Sequence, residues 1–590
     1  MPQWIVKDFG GEVPKRDPRL LPDNMAEDSV NVDHSHGTLT GLPQPEFIVD
    51  LSGAPWPVRK AYRFPGPTSG DPDVWLPLPS EFSSVVRSPL TNDTEHRIYW
   101  TNPPGQPNPG FFTNTYARIK AGNTGANAPF NVGFIAPPPS LMLSVSVAGG
   151  DTTVPQIGRS YVFTYVDSNG LESSPSLPSN VVEGAPDGTW TVSGFPAMPP
   201  ANPTGKSYPI PVTNRLYRTV TGATTGGQYF FVANVPVGTT SYTDTIPDAS
   251  VTNNNTLGTA SWIPPPDGLD GLIAMPGGML IGFTGNTVHF CEPYLPHTWP
   301  AGYDLGLLYP IVAFAVWQQS LVALTQGYPS TGVGNSPSQF VFAQVQAPEP
   351  CIARGSVVTD LAGVYYASQN GLVALNYFGM QNQTLSNMSR KLWLTEYQAT
   401  KIIACRHRAQ YLAVNGTGMG FIINYEDQRQ GIVHTNPMVA VVSVWNDVYT
   451  GDAYMVADNK VFRWDSITTP PLNYRWRSKQ FYWPAPLSIG AIQVLSEPAI
   501  TRPAPPIEVP PPDWVDDPCM DLPAGVNGRF ILYAGQDQGK IVAEYDLHKP
   551  REIFRVPGGF KTFTWQFEIL GRVSVRAVEL ATTMHELKAV

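Results

Sequence analysis

The sequence predicts an all-β protein with several domains. These are a β-propeller-like domain, an immunoglobulin/fibronectin-like sandwich and other β-rich platform domains, with few short helices. Apolar runs and turns repeat about five times between residues 271 and 465, roughly every 40 to 45 residues, which is typical of four-stranded propeller blades. The 62 Pro and 53 Gly residues are interleaved with aromatic and β-branched runs. That mixture indicates turn-rich β structure and not disorder.

The 590-residue chain is too long for a single hydrophobic core, and composition divides it into four parts. Residues 1–140 are predicted to form an N-terminal β-rich, proline-rich platform segment. Residues 141–262 are predicted to form the sandwich, because their short strands alternate apolar and polar residues. Residues 263–470 hold the propeller-like repeats. Residues 471–590 are predicted to form a C-terminal β-rich domain that packs with the platform or closes the propeller.

Helices are predicted at only two places. A short helix is expected after Pro22, and another at residues 385–397, between two blades. Within the N-terminal part, residues 94–100 and 113–120 are predicted to be strands. The rest of the chain follows the strand and turn pattern described above.

Charge limits the classes of function. The formal net charge is −10, and the sequence has no run of Lys or Arg. Because simple nucleic-acid binders are usually basic, a monomer that grips DNA directly is disfavoured. A mildly acidic surface past which DNA slides, built by an oligomer, stays open. The N-terminus lacks a signal-peptide profile and no apolar stretch approaches about 18 residues, so we expect no membrane span and synthesis in a cytoplasm.

The four cysteines are expected to be buried free thiols and not disulfides or metal ligands. They are Cys291, Cys351, Cys405 and Cys519, which are widely spaced and include no CxxC pair. Three of them lie in or beside apolar strand-like runs, where a thiol behaves as a small apolar group.

Two short motifs resemble functional sites but depart from the required pattern. The TGKS segment at 204–207 is similar to a phosphate loop, but the first Gly of such a loop would fall on Pro200. It is therefore expected to be a surface loop. PDGTW at 186–190 resembles the Asp-box of sialidase propellers, but its Asp and Gly are adjacent where one residue should separate them. Neither segment predicts an active site.

No catalytic, cofactor-binding or metal site is predicted. His34 and His36 could present two imidazoles on one face of a strand, but no other ligand cluster completes a metal set, so a polar turn is favoured. Asp516 and Asp517, close to Trp514, are expected to be solvated turn charges and not an acid–base pair. Because no nucleophile or metalloprotease motif is present either, the chain is predicted not to be an enzyme and to use no cofactor.

The tryptophans of the repeats allow two interpretations. Trp299, Trp317, Trp445, Trp464 and Trp476 could form a stacking platform for sugar rings, or they could be blade core. Core is favoured, because buried aromatic rings contribute large apolar areas. The loop at 297–304 contains two aromatic residues and is a candidate contact for a partner.

Four ordered segments resemble one family, the tail nozzle or tail tubular protein B-like (tail hub) structural proteins of short-tailed bacteriophages (podophages). The segment at 19–45, RLLPDNMAEDSVNVDHSHGTLTGLPQP, is similar to the N-terminal signature of that family. The matching positions are Leu21, Pro22, Ala26, Asn31, Gly37, Leu39 and Pro43. Residues 159–182, 275–300 and 556–587 resemble the sandwich stretch, the first propeller strands and the C-terminal ending. Residues 465–555 match no part of the family pattern.

The resemblance implies a virion structural protein of the tail, made in the host cytoplasm. Such proteins form a homohexameric ring below the portal and the tail adaptor protein, and they extend the DNA channel. They retain the genome, conduct it during ejection without sequence-specific binding, and dock tail fibre or tip proteins. An acidic balance suits a conduit, because it offers DNA phosphates few ion pairs. The alternative function is that of a carbohydrate-binding or carbohydrate-cleaving β-propeller protein.

Overall fold

The protein is described from a computed structural model, which covers residues 4–587 except 221–226, 417, 426–429, 437–440, 465, 467, 498–521 and 523–525. Almost all regular structure in these residues is β-strand. The helices among them are short, and they are α1 (Tyr116–Lys120), α2 (Asp248–Val251), α3 (Arg390–Thr395) and α4 (Met584–Leu587). The predicted all-β class with few short helices is confirmed.

The strands before the sandwich are β1 (Trp4–Lys7), β2 (Ala26–Val30), β3 (Val32–Asp33), β4 (Thr40–Gly41), β5 (Glu46–Asp50), β6 (Lys60–Phe64), β7 (Val74–Leu78), β8 (Ser84–Arg87), β9 (Arg97–Asn102), β10 (Gly110–Thr115) and β11 (Phe130–Asn131). The sandwich strands are β12 (Ser144–Ala148), β13 (Ile157–Arg159), β14 (Tyr161–Asp167), β15 (Val182–Gly184), β16 (Thr189–Ser193), β17 (Pro211–Arg218), β18 (Phe230–Pro236) and β19 (Ser241–Asp244).

The strands of the repeats are β20 (Asp270–Met275), β21 (Met279–Thr284), β22 (Thr287–Phe290), β23 (Leu305–Gly306), β24 (Ile311–Trp317), β25 (Ser320–Thr325), β26 (Ser330–Val333), β27 (Val341–Gln344), β28 (Val358–Asp360), β29 (Gly363–Ser368), β30 (Gly371–Asn376), β31 (Gly379–Asn382), β32 (Ile403–His407), β33 (Gln410–Val414), β34 (Gly420–Asn424), β35 (Ile432–Thr435), β36 (Val441–Asn446), β37 (Ala453–Ala457) and β38 (Lys460–Arg463). The last strands are β39 (Tyr474–Ser478), β40 (Phe481–Leu487), β41 (Ala491–Glu497), β42 (Gly528–Ala534), β43 (Lys540–Asp546), β44 (Glu552–Arg555), β45 (Thr562–Gly571) and β46 (Ser574–Ala581).

The described residues form a β-propeller of six four-stranded antiparallel blades. Blade 1 is β8–β11, and blades 2 to 5 are β20–β23, β24–β27, β28–β31 and β32–β35. Blade 6 takes β36–β38 from the repeats and β5 from the N-terminal part. The hairpin of β6 and β7 packs between blade 6 and blade 1, and it contributes Ala61 to one core and Phe64 to the other. Blades 2 to 6 are the five units that the sequence repeats predict.

The predicted propeller span, 263–470, is too short, and the predicted N-terminal platform, 1–140, is too long. Residues 46–131 belong to the ring, because β5 pairs with β38 and β8–β11 form a complete blade. In that pairing Val49 lies opposite Val461 and Asp50 lies opposite Lys460. A strand that closes a ring from more than 400 positions away leaves no local signal in the sequence.

The sandwich is inserted between blade 1 and blade 2. Its two three-stranded sheets are β12-β16-β19 and β14-β17-β18, and β13 pairs with β15 beside them. The sheets enclose a core that includes Tyr161, Phe163, Val192 and Leu216. This arrangement agrees with the alternating strands predicted for residues 141–262.

The two ends of the described chain fold together into one terminal domain. β1 pairs with β46, and β2 pairs with β39, so N-terminal strands complete both C-terminal sheets. Trp476, Phe481 and Phe567 lie in the shared core. β2 also pairs in parallel with β35 of blade 5, through Val30 and His434. One ten-stranded sheet therefore runs from the propeller into the terminal domain, and we call the place where β2 lies between β35 and β39 the joint.

The local predictions had mixed outcomes. The helix after Pro22 is wrong, because the residues that follow form β2 and hydrogen-bond to β39. The strand at 113–120 is wrong after Thr115, which caps α1 by accepting a hydrogen bond from the Arg118 amide. The helix at 385–397 is confirmed as the shorter α3, which Ser389 caps in the same way.

A buried ion cluster holds the sandwich together at the edge of its core. Asp244 accepts a hydrogen bond from the Tyr161 hydroxyl at 2.8 Å, and its carboxylate lies 3.0 Å from Nε of Arg218. Arg159 and Arg218 both donate to Asp248, at 2.7 and 2.6 Å. The side chains of both arginines and of Asp244 are almost fully buried. Two positive and two negative groups thus balance each other where water cannot screen them.

We expect Asp244→Ala to destabilise the sandwich by about 3–5 kcal/mol, because it removes the more deeply buried of the two carboxylates that balance Arg159 and Arg218. Urea unfolding of the full chain measures the effect as a lower midpoint of the sandwich transition. Asp267→Ala is the control, since that carboxylate is 87% exposed in its pair with Lys206 and should change stability by less than about 1 kcal/mol. Equal midpoints for the two variants would contradict the cluster's structural role.

Candidate functional site at the propeller axis

The inner strands of all six blades surround an axial cavity of about 410 Å³. They are β8, β20, β24, β28, β32 and β36, which lie next to one another in that order around the ring. A second cavity of about 420 Å³ shares Glu81, Phe82 and Arg354 with the first. We treat the two cavities as one axial site, because the same side chains line both.

Arg354 is the central cation of the axial site, and it is bound on several sides. It forms a bidentate pair with Asp270 at the start of β20, with one N–H···O distance of 2.6 Å. It also donates to the Phe82 carbonyl at 3.2 Å, and its guanidinium lies 5.3 Å from the Phe82 ring centre. The pair joins blade 2 to the turn that precedes blade 4. The hydrogen bonds of the Arg354 guanidinium therefore join separate blades of the ring.

Asp270 is aimed at Arg354 by an irregular backbone. The Gly271 amide donates to Asp270 Oδ1 at 2.7 Å, and Gly271 has φ +62°. A Cβ at this glycine would lie 2.3 Å from the Phe283 ring, so no other residue fits here. The bulge between Asp270 and Ile273 is the result, and it turns the carboxylate towards the axis.

Lys60 supplies an amine with unusual properties. Its Nζ donates to the Ser83 carbonyl at 3.0 Å, and among the described residues it has no carboxylate partner. Burial, assisted by the positive charge of Arg354, lowers the pKa of Lys60 to about 8. The pKa of the amine thus lies close to neutral pH, and Glu81 lines the same cavity as Lys60.

A second set of polar contacts joins blades 4, 5 and 6. Arg406 donates to Asp360 at 2.8 Å, and the Tyr425 hydroxyl donates to the same carboxylate. Burial opposes ionisation of Asp360, but the Tyr425 and Arg406 contacts outweigh it and lower the pKa. Asn446 exchanges two hydrogen bonds with the Arg406 backbone, at 2.8 and 2.6 Å. The polar groups near the axis are therefore used to join neighbouring blades.

His34 and His36, for which a polar turn is favoured over a metal pair, lie in different environments. His34 is buried and neither ring nitrogen has a hydrogen-bond partner, whereas His36 is exposed. Burial lowers the pKa of His34 to about 4, so the ring is neutral at pH 7. Within the described residues there is no group of three or more His, Cys, Asp or Glu side chains that could hold a metal ion.

The other candidate motifs lie apart from the axis. In the TGKS segment Lys206 pairs with Asp267 at 2.7 Å, in a loop, and no helix follows. In the PDGTW segment Trp190 is buried against Arg159. Asp516, Asp517 and Trp514 lie outside the described residues.

The burial of the tryptophan and cysteine side chains tests the predictions made for them. Trp299, Trp445, Trp464 and Trp476 are buried, which confirms the core interpretation for these four. Trp317 is partly exposed in the turn between β24 and β25. The free thiols of Cys291, Cys351 and Cys405 are buried as predicted, and Cys519 lies outside the described residues.

The loop at 297–304 is buried in its first half, whereas Ala301, Gly302 and Asp304 in its second half are exposed. His297 and Trp299 are buried, and the His297 ring packs against Phe134 and Trp262. Those two residues precede and follow the sandwich. The buried half of the loop therefore fixes the base of the sandwich to blade 2, and residues 301–304 remain the candidate contact for a partner.

Sequence reasoning missed the axial residues and the joint. Arg354 and Asp270 are 84 residues apart, and Lys60 precedes the repeats altogether. At the joint, Glu12 pairs with His434, with Nε2 and Oε2 3.3 Å apart. No periodic pattern marks isolated charged residues that meet only through ring closure, and no sequence signal could have paired them.

Comparison with known proteins finds only distant similarity to solved structures. No protein-family model and no curated protein matches this sequence. BamB from Moraxella catarrhalis is 13% identical, covering 52% of this chain and 82% of its own, with a TM-score of 0.25. The Neurospora crassa Pan2 WD40 domain is 9% identical, covering 49% and 86%, also with a TM-score of 0.25. The strand order of the blades itself defines a β-propeller protein, with two further β domains attached.

No helix in the described part of the chain is both long and apolar enough to cross a membrane.

The Glu12–His434 pair should make stability depend on pH. Burial opposes protonation of His434, but the Glu12 carboxylate outweighs it and raises the pKa of His434 above 6.5. The stabilising charge is then present below pH 6.5 and is lost as the pH rises through the raised pKa. Burial also raises the pKa of Glu12, so its effect has the same sign at lower pH.

We therefore expect the melting temperature to fall as the pH rises above 6.5, and to fall less in His434→Gln. Thermal unfolding at a series of pH values measures both slopes. His36→Gln is the matched control, since that ring is exposed, and it should retain the wild-type slope. A His434→Gln variant with the full wild-type slope would rule out this pair as the source.

Proposed function

We propose that this chain is a tail nozzle subunit of a short-tailed bacteriophage. In this role six copies form a ring that extends the DNA channel below the portal and adaptor, retains and conducts the genome, and docks fibre or tip proteins. The observation that carries the proposal is that some of the residues behind the family resemblance, Asn31, His297 and Trp299, join one domain to another. A subunit of a tube that transmits force needs such fixed contacts between its domains.

The N-terminal signature supports the proposal because Asn31 lies beside the joint and Leu39 pairs with the C-terminal strand β46. Asn31, with φ +57°, donates to the Asn473 carbonyl at 3.2 Å and accepts from the Asn436 amide at 2.9 Å. Leu39 is fully buried and exchanges two 2.9 Å backbone hydrogen bonds with Val575. These contacts connect the N-terminal arm to blade 5 and to the C-terminal strands.

The segment at 275–300 supports it in the same way. Gly278 has φ +76° and lies against the Tyr294 ring, where an added Cβ would approach within 2.5 Å. The segment ends in His297 and Trp299, the buried residues that fix the sandwich to blade 2. The resemblance therefore covers a second inter-domain contact and not merely blade core.

A cluster of exposed apolar residues offers a surface for ring contacts. Leu361, Tyr377 and Phe378 are 89%, 72% and 87% exposed, and the Tyr377 ring lies 4.8 Å from that of Trp317. The Trp317 indole donates to the Leu361 carbonyl at 3.2 Å. We call these four residues the turn patch, because they occupy strand-connecting turns on one face of blades 3 and 4. Apolar clusters of this kind on soluble proteins mark interaction surfaces.

We expect the wild-type protein to sediment as a hexamer and the double variant Leu361→Asp/Phe378→Asp to sediment as a monomer. Aspartates buried at the centre of an interface should weaken each contact by at least about 30-fold. Leu308→Asp is the control, because this leucine is 74% exposed but lies outside the turn patch.

Analytical ultracentrifugation over a range of concentrations, with negative-stain images of the same samples, makes the measurement. A wild-type chain that stays monomeric and is absent from purified phage tails would falsify the nozzle proposal. A double variant that still forms rings would instead retain the proposal and exclude the turn patch as the contact.

A further inference from the structure

A large groove lies where the propeller meets the sandwich, away from the axis. Its volume is about 940 Å³, at the upper end of the roughly 300–1,000 Å³ range of small-molecule sites. The loop after β5, the strand β7, the ends of β9 and β10, and the sandwich loop at 205–207 all line it. Because three separate parts of the fold build it, the groove exists only in the closed ring.

The groove is lined by aromatic rings. Trp100 and Phe112 stack on each other with centroids 5.7 Å apart, and both are nearly buried. Trp56 and Trp75 also line the groove and are partly exposed. These are not the tryptophans that the sequence singled out as a sugar-stacking platform, most of which are core. Flat indole faces at the edge of a cavity bind the apolar faces of ring-shaped ligands.

Trp56 adds an unused donor. Its indole Nε1 is buried from solvent and has no hydrogen-bond partner. A buried N–H without an acceptor costs free energy, so a ligand oxygen that displaces the groups covering it would remove that cost. The loop that carries Trp56 is itself fixed, since the Val58 amide donates to Asn459 Oδ1 at 2.9 Å. The donor is therefore held in position before any ligand arrives.

The polar residues that line the groove carry little net charge. Asp50 and Lys206 are the only charged residues that line the groove, and Lys206 is already paired with Asp267. The other polar groups are mainly amides and hydroxyls, among them the exposed Asn108 and Thr124. Amide side chains both donate and accept, which suits vicinal hydroxyl groups, whereas nothing here would hold a phosphate or a carboxylate.

We propose that this groove is a binding site for a neutral oligosaccharide. Trp56 and Trp75 stack on sugar rings, the Trp56 indole donates to a ring or hydroxyl oxygen, and the amides bind hydroxyls. The site does not depend on the proposed nozzle ring, because one copy of the chain supplies every lining residue. Binding can therefore succeed or fail independently of whether the protein forms hexamers.

The test is titration of the full-length protein with three neutral hexasaccharides: maltohexaose, cellohexaose and chitohexaose. Isothermal calorimetry should detect binding of at least one of them at millimolar concentration or below. Trp56→Ala should weaken that binding by about tenfold or more, and Trp56→Phe, which keeps a ring but loses the N–H, by less. Gly53→Arg should abolish it, because the space beside this glycine in the groove is empty.

Trp317→Ala is the matched control, since this tryptophan is also partly exposed but lies in the turn patch, and it should bind like wild type. Circular dichroism and melting temperature establish that each variant is folded. The proposal is overturned if no hexasaccharide binds, or if binding is unchanged in both Trp56→Ala and Gly53→Arg. It is also overturned if decaproline binds in a Trp56-dependent manner and the saccharides do not, because the groove then accepts a proline-rich peptide.

Discussion

The pairing of β5 with β38 is the constraint on which the rest of the structure depends. It completes blade 6 with a strand from the other end of the chain, so the ring cannot close until residues 46–50 have returned to it. The hairpin of β6 and β7, blade 1 and the sandwich all follow β5 in the chain. Their positions around the axis are therefore fixed by this one antiparallel ladder, and so are the axial pair of Arg354 with Asp270 and the groove at the sandwich.

The second constraint is the placement of β2. This strand lies between β35 and β39 and extends the sheet of blade 5 into the terminal domain. Hydrogen bonds then run continuously across ten strands, and rotation of one domain against the other would break them. Together with His297 and Trp299, whose buried side chains fix the sandwich to blade 2, this sheet connects the three domains. That property is consistent with a component of a tube that must transmit force.

The sequence predicted the repeated blades and missed the long-range contacts that occur only once in the fold. Five blades were visible because each repeats the same apolar spacing. Four of the tryptophans were recognised as core because buried aromatic rings contribute large apolar areas. The pairing of β5 with β38, the joint at Asn31 and the Arg354 contact each involve residues that are far apart in the chain and unmarked by any period. The helix expected after Pro22 failed because pairing with β39 overrides local preference. The groove was missed because Trp56 and Trp75 precede the repeats.

The nozzle proposal requires that copies of this chain form a ring in a phage tail. A cryo-electron microscopy reconstruction of the purified full-length protein tests that claim directly. We expect six copies around a central channel wide enough for a DNA duplex, with the turn patch covered at the contact between copies and the joint unchanged. A reconstruction of isolated single copies, or of an assembly with no open channel, would contradict it.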